Sequence, residues 1–299
     1  WSFLYLVPKV QLYEFTSHTF TNCGKTGTTG PSLANCTATY TPAWTDNTSF
    51  LNVQTAGYQE WKVPYTGTYR ISAYGAQGGS NATNDNQASP GNGAYVRGEF
   101  SLVRGEVIYI AVGQIGSSTS EGAGGGGGTF VVKKSGAGYA NAIGGDVLVI
   151  AAGGAGSPYD NNWGHGGHGS HTTSGSGGGG SGEADHDNES ASGGGGFSGN
   201  GAGAGSNSGG NSFLNNLTGG SGGNGNGGFG GGGSQDSDAS GGAGGYTGGN
   251  GEAGPTHNRS NIAYSYNSGT NTTGSTGTHT GQGSNPFFCL NQSTFPSLK

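Results

Sequence analysis

Unbroken glycine runs at 124–128, 177–180, 193–196 and 230–233 constrain this chain more than any other feature. Glycine occupies 71 of the 299 positions. A run without side chains has no apolar surface to bury, yet ordering it costs about 1–2 kcal/mol per residue in backbone entropy. Two outcomes are open. The tract could be a flexible linker. Alternatively, extended three-per-turn helices, rising about 3.1 Å per residue without internal hydrogen bonds, could pack closely and bond laterally. Lateral bonding satisfies every backbone N–H and C=O group, and we expect this ordered polyglycine-II bundle. Phe197, Phe213, Leu214, Leu217, Phe229 and Tyr246 would then sit at its edge or mark turns.

Glycine density divides the chain: 14 fall in 1–121, 52 in 122–254 and 5 in 255–299. Outside the densest part, short runs of β-branched and aromatic residues at 58–64, 68–74, 94–103, 106–112, 129–133 and 146–152 predict strands, with a weaker one at 262–266. Trp61 and Val63, then Tyr69, Ile71 and Ala73, alternate as in a half-buried strand. Helical periodicity is absent throughout. The expectation is an all-β sandwich of jelly-roll type. It comprises an N-terminal arm (1–19), a first sandwich part (20–121), a glycine-rich insert with interleaved strands near 129–152 (122–254), and a C-terminal return with an apolar tail (255–299).

A net charge of -6 argues against nucleic acid and anionic membrane. No apolar run reaches the roughly 20 residues of a membrane span. The apolar start is too short, and lacks the basic flank, for a signal peptide. The absence of Met suggests a processed chain or a fragment. Cys23 and Cys36 flank a turn-dense stretch. A disulfide there would close a loop of about a dozen residues and add roughly 3 kcal/mol; otherwise they are two unrelated buried thiols. Cys289 is left as a free thiol or an intermolecular link. Asn35, Asn47, Asn81, Asn188, Asn216, Asn258, Asn271 and Asn291 stand in N-x-S/T frames, and N-linked glycans are expected on some in surface loops.

Other residues carry a resemblance. The stretch Phe20-Thr-Asn-Cys23-Gly-Lys-Thr-Gly27-Thr-Thr-Gly30-Pro31 to Cys36 is followed by Trp61-Lys-Val63-Pro64 and by Gly67-Thr-Tyr69-Arg-Ile71-Ser72-Ala73-Tyr74-Gly75-Ala76-Gln-Gly78-Gly79. Val112-Gly113-Gln114, then 124–128 leading into Thr129-Phe130-Val131, and Leu148-Val-Ile150-Ala-Ala-Gly153-Gly154 continue in order. Over about residues 20–255 this resembles the glycine-rich extracellular region of the anaplastic lymphoma kinase and leukocyte tyrosine kinase family. The resemblance implies a TNF-like sandwich with inserted polyglycine helices, and a Cys23–Cys36 pair.

Chemistry is sparse. Gly24-Lys25-Thr26 lacks the opening glycine of a phosphate loop, because Thr19 stands in its place. The G-x-S-x-G match at 219–223 follows no hydrophobic strand. His165, His168 and His171 would line one face of a three-per-turn helix about 9 Å apart, too far to share one ion. Asp185, Asp187 and Glu189 are weak calcium candidates, without the glycine and closing acid of an EF-hand. No catalytic residue, cofactor or enzyme activity is expected.

The arm is apolar on both faces through Trp1, Phe3, Leu4, Tyr5, Leu6, Val7, Val10 and Leu12. It could fold back on its own sheet or complete a neighbour's. Donation would build a head-to-tail filament, with Phe287, Phe288, Leu290 and Phe295 helping the contact. The sequence therefore suggests a secreted structural or adhesive protein, a self-assembling, glycosylated fibre subunit with a protein or glycan surface as a further partner, or alternatively the ligand-binding ectodomain of a receptor of the anaplastic lymphoma kinase type.

Overall fold

Alternating side chains divide between two cores. In β6 (Val107–Ala111), Ile108 and Ile110 enter one core, while Tyr109 and Ala111 enter the other. In β7 (Thr129–Lys133), Val131 goes to the first core and Phe130 and Val132 to the second. A sheet buried on both faces loses its polar rows, and β8 (Val147–Ala151, VLVIA) is buried at every position. The computed structural model describes residues 11–81, 88–159, 164–173, 183–184, 191–236, 238–252 and 261–290.

Two antiparallel sheets form an all-β sandwich. With β1 (Ser17–Phe20), β4 (Gly67–Tyr74), β5 (Gly93–Leu102), β10 (Thr270–His279) and β11 (Asn285–Cys289), the first sheet runs β1-β11-β4-β5-β10. With β2 (Leu51–Asn52), β3 (Gln59–Lys62) and β9 (Tyr266–Asn267), the second runs β2-β3-β6-β7-β8-β9. Between them Trp61, fully buried, meets the rings of Phe15, Phe20, Tyr69 and Phe287.

The outer face of the second sheet is covered by the glycine-rich part. Phe197, Phe213, Leu217 and Phe229 pack with Tyr58, Tyr109, Phe130 and Ile150. Phe213 and Leu217 do lie at turns, as expected: Phe213 opens a 3-10 turn, and Leu217 has φ +55°. They also anchor a third layer to the sandwich.

Within that layer the hydrogen bonds repeat every three residues. Ala123 and Gly126 donate to Ser157 and Gly154; Gly124 and Gly127 donate to Ser117 and Gln114; Gly125 and Gly128 donate to Gly233 and Gly230. Residues three apart thus bond to one neighbour, and the neighbour recedes by three as the run advances by three. Carbonyls of the same run accept from elsewhere: Gly124 and Gly127 from Gly79 and Ala76, and Ala123 and Gly126 from Gly241 and Gly244. Backbones approach so closely that a Cβ added at Gly127 would lie 1.8 Å from the Phe229 carbonyl oxygen. Residues 75–79 and 113–117 join this network although they precede 122. Glycine density alone therefore misplaces its boundary: Gly75, Gly78, Gly113 and Gly116 already carry the spacing of three.

Several expectations need correction. A helix does form: α1 (Leu33–Thr39) is capped by Ser32, with Ser32 and Asn35 bonding reciprocally. It buries only Cys36, so it has no apolar stripe to read. The strand expected at 262–266 is instead Tyr266–Asn267. The sequence TNTTGSTGTH of β10, rich in hydroxyls and glycine, offers no apolar alternation, because it is an exposed edge strand paired with β5 alone. Phe287 fills this chain's own core rather than an intermolecular contact.

Candidate functional site

The first sheet keeps an outer face with few apolar side chains. On β5 the inward series Ala94, Val96, Phe100 and Leu102 is buried, and Tyr95, Arg97 and Glu99 are half-buried on the other side. The register carries this face across the sheet. Ser17 lies opposite Phe288, Phe288 opposite Arg70, Arg70 opposite Glu99, and Glu99 opposite Thr270. A second row pairs Ser72 with Arg97 and Arg97 with Thr273. A third sets Tyr74 beside Tyr95, and Tyr95 beside Ser275.

The polar groups of this face hold one another. Arg70 bridges Glu99 at 2.8 Å, and Asn271 Nδ2 donates to the other carboxylate oxygen at 2.7 Å. Those bonds, first from Asn271 and then from Arg70, hold the Glu99 carboxyl below the usual carboxylate range. Arg97 donates to Thr273 Oγ1 at 3.1 Å. Tyr74 stacks on Tyr95 with ring centres 4.7 Å apart, and His279 lies 4.9 Å from Tyr74. Phe288 stands 46% exposed beside Arg70. Aromatic and arginine side chains fixed on a rigid sheet suit polypeptide recognition: they offer large contact area and little rotamer freedom to lose. Sequence reasoning missed this face, although strand alternation held the signal, since the residues between the core positions are Arg70, Tyr74, Tyr95 and Arg97.

The other candidates fall as follows. Cys23 and Cys36 form a disulfide. Cys289 is a free, half-buried thiol 3.9 Å from the Thr68 carbonyl. Lys25 lines a polar groove of about 550 Å³, but Thr26 leads into a loop, and α1 begins only at Leu33. Ser221 of the G-x-S-x-G match is exposed and bonds with Ser208. His165 and His168 are exposed, and their Nδ1 atoms accept the backbone N–H groups of Ser89 and Asn92; exposed His171 bonds Thr276. The row thus joins segments, and among the described residues no group of three His, Cys, Asp or Glu side chains could hold a metal. The calcium candidates Asp185, Asp187 and Glu189 lie outside the described residues.

Of the sequons, Asn188, Asn258 and Asn291 lie outside the described residues. Asn35 and Asn47 are exposed and Asn216 is half-buried. Asn271 sits within β10 rather than a loop. Asn81 corrects the surface expectation: it is fully buried, with Nδ2 donating to the Tyr159 carbonyl. Of the arm, Trp1, Phe3, Leu4, Tyr5, Leu6, Val7 and Val10 lie outside the described residues, as does Phe295. Leu12 donates its N–H to the Pro64 carbonyl, so this end of the arm folds back on its own chain.

The mouse (Mus musculus) leukocyte tyrosine kinase receptor is 41% identical over 103 residues. A third of this chain is thus similar to part of a receptor. The match takes in 34% of the chain and 11% of the receptor's length. No family model matches. The receptor likeness and the disulfide together point to an extracellular location. Among the described residues no helix is long and apolar enough to cross a membrane.

Proposed function

We propose that the chain is a ligand-binding module of a receptor-type ectodomain, and that the outer face of the five-stranded sheet receives a polypeptide ligand. The carrying observation is the asymmetry between the sheets. One outer face is buried under Phe197, Phe213 and Phe229, while the other presents Phe288, Arg70, Arg97 and the Tyr74–Tyr95 stack. The likeness to a receptor segment supports this reading. The third layer acts as a rigid polyglycine-II-type base. Its period-three bonding supports that role, because each run is fixed from several sides.

The test is a binding screen of the full chain against purified secreted polypeptides. For any ligand found, Phe288→Asp is expected to weaken binding at least about tenfold, roughly 1.4 kcal/mol. Ile143→Asp, at another exposed apolar position, leaves it unchanged. Equal binding by both variants would place the ligand elsewhere.

The fibre subunit is the second reading. It is favoured by the position of β1, which closes the arm and forms an edge of its sheet. Polymers in light scattering that vanish on deletion of residues 1–12 would support it, and a monomer would refute it.

A further inference from the structure

A pocket of about 440 Å³ is lined by Tyr13, Glu14, Ala43, Trp44, Asn47 and Phe50. Its aromatic wall is fixed. Tyr13 stacks on Trp44 with centres 5.0 Å apart and lies 4.6 Å from Phe50. Tyr13 is anchored by its hydroxyl to the Lys62 carbonyl, and Trp44 by contact with Phe15 and His18. Behind the wall, His18 is enclosed by Phe20, Tyr40 and Trp44, and burial pushes its imidazole down to about 4.

Asn47 belongs both to this pocket and to an N-x-S frame. The 3-10 turn Ala43–Asp46 sets it three residues after Trp44. Its carbonyl accepts from the N–H groups of Phe50 and Leu51, and its Oδ1 from the Ser49 N–H at 2.9 Å. Asn47, Thr48 and Ser49 are all exposed. Nδ2 donates to no described residue, so the reactive nitrogen is unengaged while the rest of the side chain is held. The other described sequons differ in an engaged Nδ2 at Asn81 and Asn271, and in their place at Asn35 and Asn216, neither of which lines this pocket. Asn35 closes the cap of α1, and Asn216 Oδ1 takes three bonds from Asn211 and Thr218.

We propose that Asn47 carries an N-linked glycan and that its first N-acetylglucosamine seats in this pocket. Attachment needs a lipid-pyrophosphate-linked oligosaccharide as donor. Nδ2 forms a bond to C1 of the terminal N-acetylglucosamine and loses one proton; the C1–O bond to the lipid pyrophosphate breaks, and the lipid pyrophosphate leaves. The pocket then offers the sugar what it needs. The C–H groups of its apolar face meet the electron-rich faces of Trp44 and Phe50, and its hydroxyl and N-acetyl groups lie within the reach of Glu14. The sugar covers aromatic surface that would otherwise face water, so the attached residue stabilises the fold.

The test uses the full chain secreted from glycosylating eukaryotic cells. Peptide mass mapping is expected to find Asn47 modified in most molecules. Ser49→Ala removes the modification and lowers the thermal midpoint by about 1–4 °C, while Ser49→Thr retains both. Trimming every glycan to a single N-acetylglucosamine leaves the midpoint in place. Made in a host without the pathway, wild type and Ser49→Ala melt together. An unmodified Asn47 would overturn the proposal. So would an occupied Asn47 whose loss leaves the midpoint unchanged, or a midpoint that falls on trimming, since outer sugars would then be responsible.

Discussion

Gly127→Ala is expected to destabilise the chain by about 2–5 kcal/mol, whereas Gly144→Ala changes stability by less than about 0.5 kcal/mol. The added methyl is the same, and only the surroundings differ. At Gly127 it would sit 1.8 Å from the Phe229 carbonyl oxygen and 2.6 Å from its carbon. That backbone cannot yield cheaply. Phe229 donates to Gly27, its carbonyl accepts from Gln114, and Gly127 itself donates to Gln114. Pushing the runs apart therefore loses lateral bonds as well as packing. At Gly144 nothing lies within 4 Å, and alanine there restricts the unfolded chain at no steric cost. Urea denaturation of the two variants checks the contrast. A small effect at Gly127 would mean that the runs can move apart.

Phe213→Ala is expected to cost about 3–5 kcal/mol, as for a buried aromatic truncated where the site cannot collapse. Phe213 is fully buried where the third layer meets the second sheet. Its ring stacks on Phe197 at 5.5 Å and lies 5.2 Å from Tyr58 and 5.7 Å from Phe130. Tyr58 also donates its hydroxyl to the Phe213 carbonyl at 2.6 Å, which holds the backbone in place and keeps the void open. Because layer and sheet share this core, one cooperative transition is expected to shift as a whole. A sandwich transition unchanged by the substitution would show that the glycine-rich layer contributes nothing to its stability.

Much of this architecture can be read in the sequence, for identifiable reasons. Strands β3 to β8 announce themselves because β-branched and aromatic residues there are bounded by turn formers, as in Thr129–Lys133. The unbroken glycine runs are equally plain. The edges are not: β10 is nearly all hydroxyl and glycine because it pairs on one side only and faces water. Helix α1 escapes notice because a disulfide and a cap hold it, rather than an apolar stripe. The candidate face illustrates a different limit. Arg70, Glu99 and Phe288 are 29 or more residues apart in the chain, and only the register β11-β4-β5 sets them side by side. Asn81 shows the converse, since its local sequence reads as a surface loop while tertiary contacts with Ser157 and Tyr159 bury it.

Amide hydrogen exchange resolved across residues 123–128 tests most directly whether bare backbones here lock one another in place. If each N–H is held by a neighbouring run, all of these amides exchange as slowly as those of the buried strand β8, because they open only with the whole fold. Exchange at unprotected rates in this run, while β8 stays protected, would contradict the account.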